Sequence, residues 1–260
     1  LAKLYEKGLL YKGYTIQPYS PAAGTGLSSH ELNMPGAYKE VKDTTVVALF
    51  KVIKNEQSSF LFDDPNEDVR IAAWTTTPWT LPSNTALCAG PDISYIKIKT
   101  SNPYTHTPVS VVLAEALVPN WFGGKNQSTV EGQSAAFKGS KMKGIRYEPL
   151  LDFGNEIEPL LGGTDAYLVL TGDHVTTSDG TGIVHTAPSF GADDQRVAKA
   201  NGVGTLTLVD QTGKFKENVG PYSGRYVKDY KDEPGYIAVD IDIAIQLKTE
   251  GKALNVQKYE

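Results

Sequence analysis

Along the chain, apolar positions fall mostly in short runs bounded by turn residues, and rarely at the three-to-four spacing of a long amphipathic helix. Thr44-Thr45-Val46-Val47-Ala48-Leu49-Phe50-Lys51-Val52 is rich in β-branched residues and predicts a strand. The same reading predicts strands over Val69–Trp74, Tyr95–Lys99, Val109–Leu113, Ile145–Leu151, Ala166–Thr171, Gly182–His185 and Leu206–Asp210. Helices are predicted over Ala114–Trp121 and over Asp193–Asn201, the second stopped by Gly202. From Ile237 to Leu247 the apolar residues alternate with period two, but the segment's length and the stop at Gly251 favour a helix over Ile237–Thr249. Many short strands with few helices predict a mainly β fold with peripheral helices (α+β), built as a barrel or a sandwich.

Two segments depart from this plain pattern. Trp74-Thr75-Thr76-Thr77-Pro78-Trp79-Thr80-Leu81-Pro82-Ser83-Asn84 follows an apolar run and crowds hydroxyls, indoles and prolines into one stretch. A strand running into it ends in a stiff turn that presents hydroxyls and backbone groups; the plainer alternative is a strand end closed by prolines. The second is Gly180-Thr181-Gly182-Ile183-Val184-His185-Thr186-Ala187-Pro188-Ser189-Phe190-Gly191-Ala192-Asp193-Asp194, a His followed by acids across glycines and a proline.

Composition narrows the classes. A chain of 260 residues with 40% hydrophobic and 21% charged residues reads as a globular protein with a sizeable core. No apolar run approaches the ~20 residues that span a bilayer. The first residues show no signal peptide and no initiator Met, so the chain reads as a piece of something longer. Cys88 is the one cysteine, which rules out an internal disulfide and fits a small buried hydrophobe in a reducing cytoplasm. Four histidines lack metal-ligand spacing, so no metal site is expected. A net charge of −5 argues against bulk electrostatic binding of nucleic acid. It leaves room for local phosphate contacts from Lys138, Lys141, Lys143 and Arg146, or from Lys214 and Lys216.

Together the two segments resemble the editing insertion of class I aminoacyl-tRNA synthetases. Thr77-Pro78-Trp79-Thr80 is the isoleucyl form, whereas valyl and leucyl relatives place Arg-Pro after their paired threonines. Tyr19-Ser20-Pro21 and Leu27-Ser28-Ser29-His30-Glu31-Leu32 are similar to the connection from the catalytic core into that insertion. The resemblance implies a closed β-barrel editing domain over 44–225, an incoming arm over 1–43 and a returning, helical arm over 226–260. The His-Ile-Gly-His type signature is missing, and Lys141-Met142-Lys143-Gly144 is too short a match to the Lys-Met-Ser-Lys-Ser loop. ATP and Mg are therefore expected only at the absent catalytic core, and no cofactor in this fragment.

The implied activity answers a limit on binding. An apolar pocket separates substrates differing by one methylene by only ~1–3 kcal/mol, and isoleucyl-tRNA synthetase is the known example in which a second site hydrolyses the wrong product. By resemblance this chain removes valine from tRNA(Ile), or from valyl-adenylate, through an ordered water. Asp194 holds the substrate ammonium, with Asp193 read as the helix cap. His185 limits the pocket, and Thr76 and Thr77 position the ester and the terminal adenosine. Thr75, Thr80 and Asn84 complete that wall, and Trp79 packs on the adenosine or braces the turn. Many bacterial relatives have Gly-His-Gly where this chain has Ser189-Phe190-Gly191, and Tyr in place of Gln195. The implied partners are the tRNA(Ile) 3′ end carrying valine and the host synthetase core in cis, for a monomer in the cytoplasm that meets no membrane. A non-catalytic module that binds the tRNA 3′ end is the alternative. A Ser189–His185 hydrolase lacks the nucleophile elbow such enzymes use.

Overall fold

A computed structural model describes residues 1–260 except 11–14, 39, 125–126, 162, 229–235 and 260. The strands that carry the fold are β1 (Asp43–Lys51), β2 (Val69–Thr75), β3 (Ala86–Ala89), β4 (Ser94–Ser101), β5 (Pro108–Ala114), β6 (Leu168–Thr171), β7 (Ile183–Thr186) and β8 (Ala253–Tyr259). Two helices of more than two turns accompany them, α1 (Ala192–Ala200) and α2 (Val239–Thr249). β1 is buried from Thr45 through Phe50, because it has a core on each side. Val46, Ala48 and Phe50 enter the main core, while Val47 and Leu49 join a second cluster with Ile96, Ile98 and Leu113.

The ten-stranded sheet is mixed. Its main path runs β6-β3-β7-β2-β5-β4, with Gly132–Gln133 and Phe137–Lys138 on β4 and with β1 and β8 beyond β2. β1 takes the whole of one edge of β2, antiparallel from Val46↔Thr75 to Lys51↔Arg70. The other edge is divided: β5 pairs with it over Val69–Ile71, and β7 at Trp74. Gly180-Thr181-Gly182 fills the splice. Thr181 Oγ1 donates to the Ala72 carbonyl at 2.7 Å, and the Ala114 N–H donates to the Thr181 carbonyl at 2.9 Å. Gly182 has φ +72°, and a Cβ there would stand 2.4 Å from the Ala114 methyl. Glycine meets both demands at this position.

The ladders alone leave β6, β8 and the short strands on β4 as ends, so among the described residues they do not form the expected closed ring. One further segment, 145–148, lies between the end of β1 and β6. The Val169 N–H donates to the Ile145 carbonyl (2.8 Å) and Tyr147 N–H to Tyr167 (3.1 Å); on the other side Glu148 N–H donates to Lys51 (2.8 Å) and Ile53 N–H to Arg146 (2.9 Å).

Several expected elements shift. Ile145–Leu151 and Leu206–Asp210 form isolated bridges rather than strands. Over Ala114–Trp121 the chain completes β5 at Ala114 and then makes a short 3-10 turn and a single helical turn, with Pro119 removing an N–H near its start. The helix over Asp193–Asn201 forms as α1, and that over Ile237–Thr249 as α2. Within the expected returning arm, α2 places Val239, Ile243, Ala244 and Leu247 in the main core, and β8 pairs antiparallel with β1. Within 1–43 the helix Ala2–Glu6 buries nothing, and Ser28 and Glu31 make a capping box. Residues 11–14, 39, 229–235 and 260 of the two expected arms lie outside the described residues. Cys88 is buried, and burial pushes its thiol up to about 12, as suits an inert core side chain.

Candidate functional site

β2 delivers the threonine-rich segment to one end of the sheet. Thr75 ends the strand, and its Oγ1 accepts the Thr77 N–H at 3.1 Å, bending the chain out of the ladder. A 3-10 turn then runs from Pro78 to Ser83, with the Thr80 N–H and hydroxyl both donating to the Thr77 carbonyl (3.0 and 2.8 Å). Pro78 suits the first position, where an N–H has no partner within the turn. Thr76 and Thr77 are half-buried, whereas Thr75 and Thr80 are buried.

His185 comes to this turn from β7. Its register opposite Leu87 directs it toward the main core, and burial lowers its pKa to about 4. Both ring nitrogens are engaged, Nδ1 with Asn84 Nδ2 at 2.8 Å and Nε2 with Thr80 Oγ1 at 3.0 Å. Asn84 Nδ2 also donates to the Ala86 carbonyl at 2.8 Å, and its Oδ1 accepts the Tyr147 hydroxyl at 2.7 Å, which orients the amide. Nδ1 is then the acceptor and Nε2 carries the proton, donating to a Thr80 hydroxyl that itself donates to Thr77. Asn84 and Thr80 therefore have their polar groups committed inside the protein, and both nitrogens of the His185 ring are occupied. Tyr147, fully buried, anchors the relay. In sequence it stands between Arg146 and Glu148 with no motif to mark it.

Asp194 lies in the first turn of α1. Its Oδ2 accepts the Ala187 N–H at 2.9 Å, which ties the carboxylate to the residue just past β7. Oδ1 takes no protein hydrogen bond among the described residues. Burial raises the Asp194 pKa, while the Ala187 N–H and His174 oppose the rise. Asp193 does not cap the helix: Gly191 holds the cap position without a side-chain bond, and Asp193 pairs on the surface with Arg196. The Trp79 and Phe190 rings meet edge-on at 4.9 Å, closing the turn against the loop between β7 and α1. Trp79 is thus braced on two sides, since Asp240 of α2 accepts its N–H at 2.7 Å.

Thr80–His185 and Trp79–Phe190 link the two sequence segments at one end of the sheet, and Ala187–Asp194 ties the second segment back on itself. Ser189 is not near His185 in bonding terms; its hydroxyl is shared with Thr205 (2.6 Å) and Thr207 (2.9 Å). A cavity of about 340 Å³ elsewhere, beside Glu67, Asp68 and Lys99, offers carboxylates already met by Lys97 and Arg70. We place the site at the Thr–His–Asp cluster on its chemistry. Of the expected phosphate contacts, Arg146 is held by Asp165 through two bonds, and Lys138 by the Asp92 carbonyl. No group of three or more potential metal ligands is assembled among the described residues.

No family model matches the chain. Individual proteins do, along its whole length. An isoleucine–tRNA ligase of Porphyromonas gingivalis is 43% identical over 99% of this chain, and one of Cytophaga hutchinsonii 44% identical over 100%. The chain belongs with the isoleucyl-tRNA synthetases. It spans about a quarter of the length of these relatives, 26% and 25% respectively. In fold it matches the editing domain of the P. knowlesi cytosolic leucyl-tRNA synthetase, with a TM-score of 0.57 at 12% identity, covering 88% of this chain and 100% of that one. The synthetase family thus accounts for the sequence, and its editing domains for the fold. No described helix is long and apolar enough to cross a membrane.

Proposed function

We propose that this chain hydrolyses the ester of valyl-tRNA(Ile), and the mixed anhydride of valyl-adenylate where it is offered, as the editing unit of an isoleucyl-tRNA synthetase. The carrying observation is the Thr80–His185 and Ala187–Asp194 bonding, which sets hydroxyls, a neutral imidazole wall and a carboxylate with a free oxygen at one end of the sheet. Asp194 Oδ1 receives the α-ammonium by a charge-assisted hydrogen bond, and burial of the carboxylate strengthens that attraction. His185 limits the side-chain pocket so that isoleucine does not seat. The Thr76 and Thr77 hydroxyls hold the ester and the terminal ribose, with Thr75, Thr80 and Asn84 fixing the turn behind them. Water attacks the carbonyl, and the free vicinal ribose hydroxyl carries the proton to the departing oxygen. The protein contributes orientation and electrostatics, with no covalent intermediate and no cofactor.

The 145–148 segment supports reading the sheet as a barrel closed between β6 and the end of β1. The partners on this reading are the charged 3′ end of tRNA(Ile) and the remaining synthetase chain in cis, with the unit acting as a monomer in the cytoplasm.

The deciding experiment compares hydrolysis of valyl-tRNA(Ile) and isoleucyl-tRNA(Ile) by this chain and by Asp194→Ala. We expect loss of the valyl ester alone, reduced at least a hundredfold by the substitution. Equal hydrolysis by the folded variant would remove Asp194 from the mechanism. Binding of a valyl-adenosine analogue without any hydrolysis would make the chain a 3′-end binding module instead.

A further inference from the structure

Asp240 sits on α2, outside both segments that carry the proposed chemistry, and it is wholly buried. A carboxylate removed from water is costly unless its oxygens are met. Here the two oxygens have separate partners: Oδ1 accepts the Trp79 backbone N–H at 2.7 Å, and Oδ2 pairs with Lys228 Nζ. Lys228 also pairs with Asp43, at the start of β1. The N–H of Trp79 belongs to the opening of the 3-10 turn, where main-chain donors lack partners within the turn. Its two neighbours in the turn are the Thr77 carbonyl, which takes both Thr80 donors, and the Thr80 hydroxyl, which takes the His185 proton.

We propose that Asp240 is a positioning residue of the editing site, clamping the Thr77–Thr80 turn from behind so that the Thr76 and Thr77 hydroxyls and the His185 ring keep a single geometry. The proposal rests on the hydrolytic reading above. The bonding partner distinguishes the clamp from an ion pair kept for stability. Its hydrogen bond goes to the main chain of the turn that presents the hydroxyls, not to the end of a neighbouring helix or strand. Burial also lifts the carboxyl to about 6 in spite of Lys228 and the Trp79 N–H. The groups that face it are Lys228 from the segment before α2, Asp43 from β1 and the Trp79 N–H from the turn; on its own helix, Asp242 is engaged by Arg225.

The test uses the whole chain with Asp240→Ala and Asp240→Asn. It measures kcat and KM for valyl-tRNA(Ile) from about pH 5 to pH 8, and hydrogen exchange of the Trp79 amide by NMR. Asp240→Ala should lower kcat about 10- to 100-fold with a smaller change in KM, the scale of a slightly misplaced reacting group. Its Trp79 amide should exchange at least tenfold faster. Asp240→Asn keeps an oxygen acceptor for the Trp79 N–H, so it should retain most of the kcat and of the amide protection. Parent-like turnover by folded Asp240→Ala, or unchanged Trp79 exchange, would overturn the clamp. If Asp240→Ala does not fold, an Asp240→Asn variant that loses turnover while its Trp79 amide stays protected overturns it. If the parent hydrolyses no ester, the hydrolytic reading fails, and Trp79 exchange still decides whether the clamp exists.

Discussion

Tyr147, Asn84, His185 and Thr80 form a one-way relay in which each donor has one acceptor, ending on the Thr77 carbonyl. Charging His185 would set an N–H on Nδ1 against the amide N–H of Asn84, and burial already disfavours the cation. Removing one link leaves its buried neighbour unpaired. Tyr147→Phe strips the donor from Asn84 Oδ1 and should lower stability by about 1–3 kcal/mol with little effect on hydrolysis; urea titration and the deacylation assay read the two effects separately. His185→Ala empties the wall, should cost about 2–4 kcal/mol, and should let isoleucyl-tRNA be cleared. A variant that still spares isoleucyl-tRNA would show that the pocket is limited elsewhere. Asp194 belongs to the same scale. Its pKa lies above the ordinary aspartate range, so kcat/KM should fall with decreasing pH sooner than for an exposed carboxylate. An acid limb at the usual aspartate value would mean that the ammonium is held by another group.

Strand β7 reaches the site because Gly180-Thr181-Gly182 passes through the gap where β5 leaves the edge of β2. Gly182→Ala brings a methyl against Ala114 at a positive φ, and should cost about 2 kcal/mol or more. Because His185 is three residues on, the same change should weaken editing, read as a raised KM together with a lowered melting temperature. Parent-like melting would mean that the splice has slack. The two chemical segments, β1, β2, β4 and β5 were legible in sequence because their runs are β-branched and end in marked turns. β3 was not read as a strand: Ala86-Leu87-Cys88-Ala89 is short and buried on every residue, and shows no period. β8 was missed because Asn255, Gln257 and Lys258 interrupt its apolar pattern, and its pairing with β1 lies some two hundred residues away in the chain. The resemblance implies that Asn84 and Thr80 complete a substrate wall, and the fold adds that their polar groups bond His185, Tyr147, Ala86 and Thr77. Asp240 carried no motif, and its role depends on a tertiary contact between α2 and the turn after β2.

At the scale of the whole molecule, two buried ionisable groups beside the site pull stability in opposite directions with pH. His185 titrates near 4 when folded against 6.5 when exposed. As pH falls the unfolded chain takes up that proton first, so this contribution is complete above pH 6.5 and is lost toward pH 4. Asp240 titrates near 6 when folded against 3.8. The folded chain there keeps a proton that the unfolded chain releases, so its contribution is complete below pH 3.8 and is lost as pH rises through 6. Each effect is worth up to about 3 kcal/mol across its window, and between pH 4 and 6 they largely cancel. Asp240→Asn removes one of the pair and leaves the other. Its melting temperature should therefore climb by several degrees from pH 4 to pH 6.5, given about 2–4 °C per kcal/mol for a chain of this size, while the parent stays flatter over the same range. Thermal unfolding at half-unit pH steps measures this. Parallel curves for parent and variant would mean that Asp240 ionises normally in the folded chain.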